Sequence, residues 1–221
     1  MFVSGQNTFG APSRDVTVYT VPGRNGDLVV DNGRFKNIQV SYPAFIPLDF
    51  QENVRKFREW ISAQRGYHKL ADDYDPDTFR LARFVGPLAF SPRMLNKSAE
   101  FTVAFDCKPQ RYLNTGEYPL MYAESSGRVF PNPTPFNAKP LITVYGEGGG
   151  TIILSGETIE ISDIKTSITI DCETRNAYSG AANRNGDITV SAFPELPTGS
   201  VAYSFSGGVT SIKIIPRWWT V

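Results

Sequence analysis

A single histidine and a run of aspartates are the residues of this chain best suited to chemistry. His68 is the only histidine, so a Ser-His-Asp or Cys-His arrangement could be built on no other residue. It stands in Gly66-Tyr67-His68-Lys69-Leu70, where a helix is expected to end and a strand to begin. The sequence contains no G-x-S-x-G, H-E-x-x-H or G-x-x-x-x-G-K-[ST] motif. We therefore predict no catalytic site and no enzymatic activity.

The aspartate run, Asp72, Asp73, Asp75 and Asp77, resembles part of a calcium-binding loop. Asp73, Asp75 and Asp77 have the spacing of the first three ligands of an EF-hand. Thr78 occupies the position that requires glycine, and Phe84 stands where the bidentate glutamate should be. The sequence therefore favours a solvated turn in which aspartates accept hydrogen bonds from nearby amides. We predict no metal site and no cofactor.

Two cysteines, Cys107 and Cys172, stand far apart, without the short paired spacing of metal or redox motifs. We expect both to pack in cores as small apolar residues. The first residues, Met1 to Gln6, lack a basic start followed by a long apolar run, and no later stretch approaches membrane-spanning length. These features predict synthesis in a reducing cytoplasm and no membrane partner.

Composition excludes some partners. The 221 residues include 22 Lys and Arg against 22 Asp and Glu, so the formal net charge is zero. Without a basic excess, sequence-independent binding to DNA or to anionic lipid is not expected. Aromatic residues at 13% and hydrophobic residues at 41% are typical of a folded protein.

A proline-rich segment, Pro131-Asn132-Pro133-Thr134-Pro135, suggests a division of the chain. Three prolines in five residues fix φ, remove amide donors and favour an extended backbone. We predict a semi-rigid spacer there, with one domain over residues 1–130 and a second over residues 131–221.

The first domain is predicted to be mainly β, a sandwich or barrel with one α-helix. Asn37 to Tyr42 and Phe101 to Asp106 alternate between apolar and polar residues, the period of a half-buried strand. Between them, Asp49 with Glu52 forms a capping-box pattern that predicts a helix start, and Gly66 is a natural stop. The expected apolar stripe of this helix consists of Phe50, Val54, Phe57 and Ile61.

The second domain is predicted to be a small antiparallel β-sandwich. Short alternating segments are separated by glycine-containing turn signals, as in all-β domains. The alternating apolar positions are Ile159 and Ile161, Ile168, Ile170 and Cys172, Ile188 and Val190, and Val201, Tyr203 and Phe205. The turn signals are Gly148-Gly149-Gly150, Ser155-Gly156, Asn185-Gly186 and Gly207-Gly208.

Trp218 and Trp219 are adjacent, and neighbouring residues of a strand point to opposite faces. One core cannot accept both rings. We predict that one of them contributes to an interface with another domain or subunit, or that the terminus is irregular. A stacking platform for sugar is the alternative.

Three segments of the first half, taken together, resemble the amino-terminal domain of the distal tail protein family of long-tailed bacteriophages (siphoviruses). They are Pro22-Gly23-Arg24-Asn25-Gly26-Asp27-Leu28, Tyr67-His68-Lys69-Leu70-Ala71-Asp72 and Phe101-Thr102-Val103-Ala104-Phe105-Asp106-Cys107-Lys108-Pro109-Gln110-Arg111-Tyr112. The resemblance covers roughly Phe9 to Glu117. The remainder resembles the family only in its expected sandwich architecture.

The resemblance implies a structural virion protein of the tail, made in the cytoplasm of the bacterial host. Proteins of this family form hexameric rings that join the tail tube to the tail-tip or baseplate hub, and in some cases to a receptor-binding protein. DNA passes through the central channel. The alternative function is a carbohydrate-binding accessory protein that attaches to host cell-wall polysaccharide through its second domain.

A ring of identical subunits needs two different patches on each subunit, and a hairpin laid on a neighbour could provide one of them. Pro22, Gly23, Arg24, Asn25, Gly26 and Asp27 are predicted to form the tip of such a hairpin, with Val29 and Val30 after it. An ordinary exposed turn is the alternative interpretation. With Trp218 and Trp219, these six residues are the predicted interface residues.

Overall fold

Alternating apolar and polar residues give this chain a mainly β fold, as predicted. The computed structural model describes residues 1–3, 5, 10–93, 97–125 and 128–221. Phe9, the predicted start of the family-like region, lies outside the described residues. The described residues contain one α-helix, and none of their helices is long and apolar enough to cross a membrane.

Two compact units make up the fold, one over Met1–Arg111 with Val221 and one over Tyr112–Thr220. The helix of the first unit is α1 (Phe50–Ala63). The strands that begin in this unit are β1 (Phe2–Val3), β2 (Arg14–Tyr19), β3 (Leu28–Phe35), β4 (Ile38–Ile46), β5 (His68–Leu70), β6 (Thr78–Phe84), β7 (Phe90–Arg93) and β8 (Ser98–Leu113).

The two strands predicted for the first domain pair with each other at the centre of its main sheet. Strands β1, β4, β8, β6 and β5 are neighbours in that order, and β7 also pairs with β8. In the antiparallel pair β4–β8, Val40 is opposite Phe105 and Tyr42 is opposite Val103. Val40, Tyr42 and Val103 are buried, so the predicted apolar face is the core face.

Helix α1 covers part of this sheet with the stripe that its sequence predicts. Ile61 is buried, and Val54 and Phe57 are half-buried against Phe101 and its neighbours. The predicted capping box, however, is absent, because Asp49 lies in the left-handed region at φ 52° and its side chain makes no capping hydrogen bond in the described structure. Glu52 instead forms an ion pair with Lys56, one turn further along the helix, at 2.6 Å.

The second unit is built on a nine-stranded antiparallel sheet, counted over its described residues. Its strands are β9 (Leu120–Tyr122), β10 (Arg128–Asn132), β11 (Leu141–Leu154), β12 (Glu157–Ile164), β13 (Ser167–Asp171), β14 (Asn176–Ser179), β15 (Ala182–Asn183), β16 (Ile188–Val190) and β17 (Gly199–Ile215), followed by β18 (Trp219–Thr220). The alternating isoleucines of β12 and β13 are fully buried in one apolar core, which confirms the predicted strand faces.

Two of the predicted turns are β-bulges inside long strands. Gly148-Gly149-Gly150 lies within β11 and Gly207-Gly208 within β17, and the register of this pair shifts there. The two backbones approach so closely that a Cβ atom on Gly208 would lie 1.8 Å from the carbonyl oxygen of Glu147. These glycines therefore permit close contact between strands. Ser155-Gly156, by contrast, is the turn between β11 and β12.

The units divide between Arg111 and Tyr112, about twenty residues before the predicted spacer. The proline-rich segment belongs to the second unit, where β10 pairs with β17 as an edge strand. The buried Asn132 donates from Nδ2 to the carbonyl oxygens of Phe136 at 2.9 Å and Leu196 at 3.1 Å. Proline tolerates such an edge because it has no N–H to leave unpaired.

Candidate assembly interface

The predicted hairpin tip connects β2 and β3, which form a two-stranded sheet of their own. We call this hairpin, residues 14–35, the ribbon. The strands are antiparallel, with Val18 opposite Val29 and Tyr19 opposite Leu28. An isolated two-stranded ribbon is at best marginally stable in water, so the ribbon is a candidate for contact with another molecule.

The six predicted interface residues at the tip, Pro22 to Asp27, are all exposed. Gly23 and Gly26 have φ of 80° and 81°, a conformation that glycine adopts without strain. Thr20 Oγ1 donates to Asp27 Oδ1 at 3.0 Å. The turn is thus fixed by backbone geometry and by a side-chain contact across its ends.

Charged residues stiffen the base of the ribbon. Asp15 accepts a hydrogen bond from Arg34 Nε at 2.7 Å and lies 3.6 Å from Lys36 Nζ. The hydrogen bond from Arg34, with the charges of both cations, lowers the pKa of Asp15 below its usual value. Arg14 of β2 also forms an ion pair with Asp31 of β3 at 3.1 Å. These contacts hold the two strands together where the ribbon joins the unit.

The distal half of the ribbon exposes apolar side chains on both faces. Val18 and Val29 face one side, and Tyr19 and Leu28 face the other, because cross-strand partners share a face. All four are exposed, as is Val30. An exposed apolar surface of this kind is typical of a protein–protein contact.

A second apolar surface lies beside α1, in a groove of about 480 Å³. We call it the α1 groove and define it by Phe57, Trp60, Leu70, Asp73 and Tyr74. Trp60 is 62% exposed, and the centroid of its ring lies 6.0 Å from that of the Phe57 ring. The residue pattern did not predict this groove, although Trp60 lies next to the predicted apolar stripe of α1 and could have indicated it.

Trp218 and Trp219 both have partners inside the second unit. Trp218 is buried in the core near Phe130. Trp219 stacks on Phe136 with ring centroids 4.3 Å apart and donates from Nε1 to the carbonyl oxygen of Asn137 at 2.8 Å. The two rings therefore do not form an exposed shelf for sugar, and an interface role for them stays a prediction.

His68 and the aspartate run make mainly local contacts in the described structure. His68 is exposed, and its Nε2 lies 2.9 Å from the carbonyl oxygen of Arg65. Asp72 accepts hydrogen bonds from the amides of Tyr74 and Asp75, at 3.0 and 3.3 Å. The predicted aspartate turn is therefore confirmed at Asp72. Among the described residues, no group of three or more His, Cys, Asp or Glu could hold a metal ion.

The second unit carries an open groove of about 690 Å³ with charged walls. Lys139 and Glu157, with Arg175 and Glu195, place both signs of charge around it, and Phe193 adds an apolar wall. Lys139 Nζ lies 3.9 Å from a carboxylate oxygen of Glu195. The groove thus combines charged side chains of both signs with one aromatic ring.

The fold is similar to that of solved phage proteins. The chain is similar to the crystal structure of the Dit protein of phage SPP1, described as a paradigm of the hub adsorption apparatus in phages that infect Gram-positive bacteria. The match covers 96% of this chain and 91% of the SPP1 chain, with a TM-score of 0.75 and 11% sequence identity. The chain therefore shares the fold of this SPP1 protein.

A chain in the activated baseplate of phage p2 is also similar. It matches over 96% of this chain and 89% of its own length, with a TM-score of 0.52 and 9% identity. No protein-family model matches this chain, and no curated protein matches it significantly in sequence.

Proposed function

We propose that this chain is the distal tail hub of a siphovirus-like phage, a structural and non-enzymatic component of the virion tail. The observation that carries the proposal is the match to the SPP1 hub protein over nearly the whole chain. Six copies form a ring that joins the tail tube to the tail-tip or baseplate apparatus and its receptor-binding protein. DNA crosses the ring through its channel.

The ribbon supports this proposal on physical grounds. A closed ring requires two different complementary patches on each subunit. The ribbon is one such patch, because its exposed valines, Val18 and Val29, lie on strands that pair only with each other in the described chain. Zero net charge also suits a conduit, since a strongly basic lining would hold DNA electrostatically.

The test is the size and symmetry of the purified protein. We expect light scattering to give the mass of six chains and negative-stain electron microscopy to show six-fold rings. The double variant Val18→Ser/Val29→Ser should remain folded but lose the ring. Val129→Ser, which changes a similarly exposed valine of the second unit, is the matched control and should keep it. A strict monomer at high protein concentration, without rings, would overturn the proposal.

A second candidate function is attachment to host cell-wall polysaccharide through the groove of the second unit. Phe193 offers an apolar face for a sugar ring, and Glu157 and Glu195 offer acceptors for its hydroxyl groups. Retardation on a polysaccharide affinity gel, lost in Phe193→Ala, would support this function. Equal migration with and without polysaccharide would dismiss it.

A further inference from the structure

In the proposed ring, the ribbon of one subunit must contact a surface of the neighbouring subunit. The α1 groove is apolar, like the distal half of the ribbon, and belongs to the same unit. Val29 on the ribbon is 57% exposed and Trp60 in the groove is 62% exposed. Because both remain exposed in the single chain, a chain's own ribbon does not fill its groove. A head-to-tail contact between copies would bury both surfaces.

The two surfaces also carry side chains of opposite charge. Arg24 at the ribbon tip and Asp73 at the groove rim are exposed. In the described part of the chain, neither side chain has a hydrogen bond or an ion pair. Asp72 and Asp75 beside the rim are already engaged, by Tyr42 and by Arg111. Asp73 is therefore the carboxylate left available to a cation from outside.

We propose that the α1 groove receives the distal half of the ribbon of a second copy of this chain, with Arg24 of that copy beside Asp73. The apolar side chains of the ribbon supply most of the contact, and the charge pair sets its register. This inference rests on the proposed ring, and it names the receiving surface within it.

The buried native cysteines make a disulfide test possible. Cys107 and Cys172 are free and buried, and burial raises their pKa values to about 11 and about 12, so neither competes as a thiolate near neutral pH. Introduced cysteines on the ribbon and in the groove are then the only reactive pair.

In the experiment, chains carrying Val29→Cys are mixed with chains carrying Trp60→Cys and oxidised gently. The expected result is a disulfide-linked dimer of one chain of each kind, and a ladder of linked chains from the double variant. The yield should exceed that of a Val129→Cys control by at least about ten-fold, because docking raises the effective concentration of the two thiols. The control uses a similarly exposed valine of the second unit.

A charge exchange tests the register independently. Arg24→Glu should weaken self-association by about five-fold, the size of an exposed ion pair, and adding Asp73→Arg should restore it. Failure of restoration would overturn the proposed pair.

The outcomes separate the two proposals. If rings are seen in the microscope but no disulfide forms between positions 29 and 60, the proposed function stands and the α1 groove is not the receiving surface. A protein that forms no ring and no linked species overturns the proposed function itself. Both substitutions are at exposed positions, and circular dichroism checks that the variants fold.

Discussion

Gly208 is a residue whose missing side chain determines the local structure. A Cβ atom there would lie 1.8 Å from the carbonyl oxygen of Glu147 on the neighbouring strand, and backbone cannot move aside as the end of a side chain can. We expect Gly208→Ala to lower the free energy of unfolding by about 1–3 kcal/mol, as overpacking does. Urea denaturation measures this change.

The matched control is Gly186, where an added Cβ meets no atom within 4 Å. Gly186→Ala should change the free energy of unfolding by no more than about 0.5 kcal/mol. Equal stability of the two variants would show that the strands separate at the bulge without cost.

A bidentate ion pair inside the second unit links its stability to pH. Arg217 donates to both carboxylate oxygens of Asp171, at 2.7 and 3.2 Å. Burial by itself would raise the pKa of Asp171, but Arg217 and the amides of Glu173 and Thr174 outweigh it and hold the pKa below its ordinary value of 3.8. The folded pKa is thus lower than the unfolded one. The ionised carboxylate therefore contributes stability that is present above the unfolded pKa and is lost as pH falls through the folded pKa.

We expect Arg217→Met to lower the free energy of unfolding by about 3 kcal/mol at neutral pH, because it leaves a mostly buried carboxylate unpaired. The loss should shrink as the pH is lowered from about 5 toward 3, where the carboxylate becomes protonated. Arg93→Met, which breaks the exposed pair with Glu100, serves as the control and should have little effect. A loss that is the same at every pH would contradict this role of Asp171.

At the scale of the element, the local residue pattern predicted which faces of the strands are buried better than it predicted how the strands pair and where they turn. The alternation around Val40 and Val103 predicted strands correctly because a sheet with one buried face requires that period. Gly148 and Gly207, interpreted as turns, lie in bulges instead, since glycine serves both needs and only the partner strand distinguishes them. In the proline-rich segment, Pro131 and Asn132 are extended in β10, whereas Thr134 and Pro135 lie in a bend. The pairing of β10 with β17 depends on residues far along the chain.

The backbone strain at the start of α1 can be tested by a substitution. Asp49 has a positive φ and its side chain caps no described amide, so glycine there should relieve backbone strain. We expect Asp49→Gly to raise the free energy of unfolding by about 0.5–1 kcal/mol. Thermal unfolding followed by circular dichroism measures it. A loss of stability would mean that the carboxylate caps the helix in solution.

The candidate interface was predictable only in part, because one of its surfaces is a contiguous segment and the other combines residues that are distant in sequence. The ribbon tip is a contiguous segment, and its glycines identify a turn directly. The α1 groove combines Trp60 with Leu70 and Asp73, which come together only when the helix and the segment after β5 pack on the sheet. Surfaces of this kind follow from tertiary structure, so residue spacing does not reveal them.

At the scale of the whole molecule, assembly should be driven by apolar burial more than by charge. The formal net charge is zero, so copies neither repel nor attract one another strongly at long range. The proposed contact joins exposed valines and Trp60, with one charge pair at its rim. Exposed ion pairs weaken in salt, whereas apolar contacts do not.

We therefore expect the proposed ring to persist when sodium chloride is raised from about 0.05 to 0.5 M, a range over which the Debye length falls from about 14 to 4 Å. Mass photometry at fixed protein concentration measures the fraction of hexamer at each salt concentration. The Arg24→Glu variant should lose its defect at high salt, because screening removes the repulsion between the introduced carboxylate and Asp73. A wild-type ring that dissociates in salt would mean that charged contacts, rather than the valines of the ribbon, hold the subunits together.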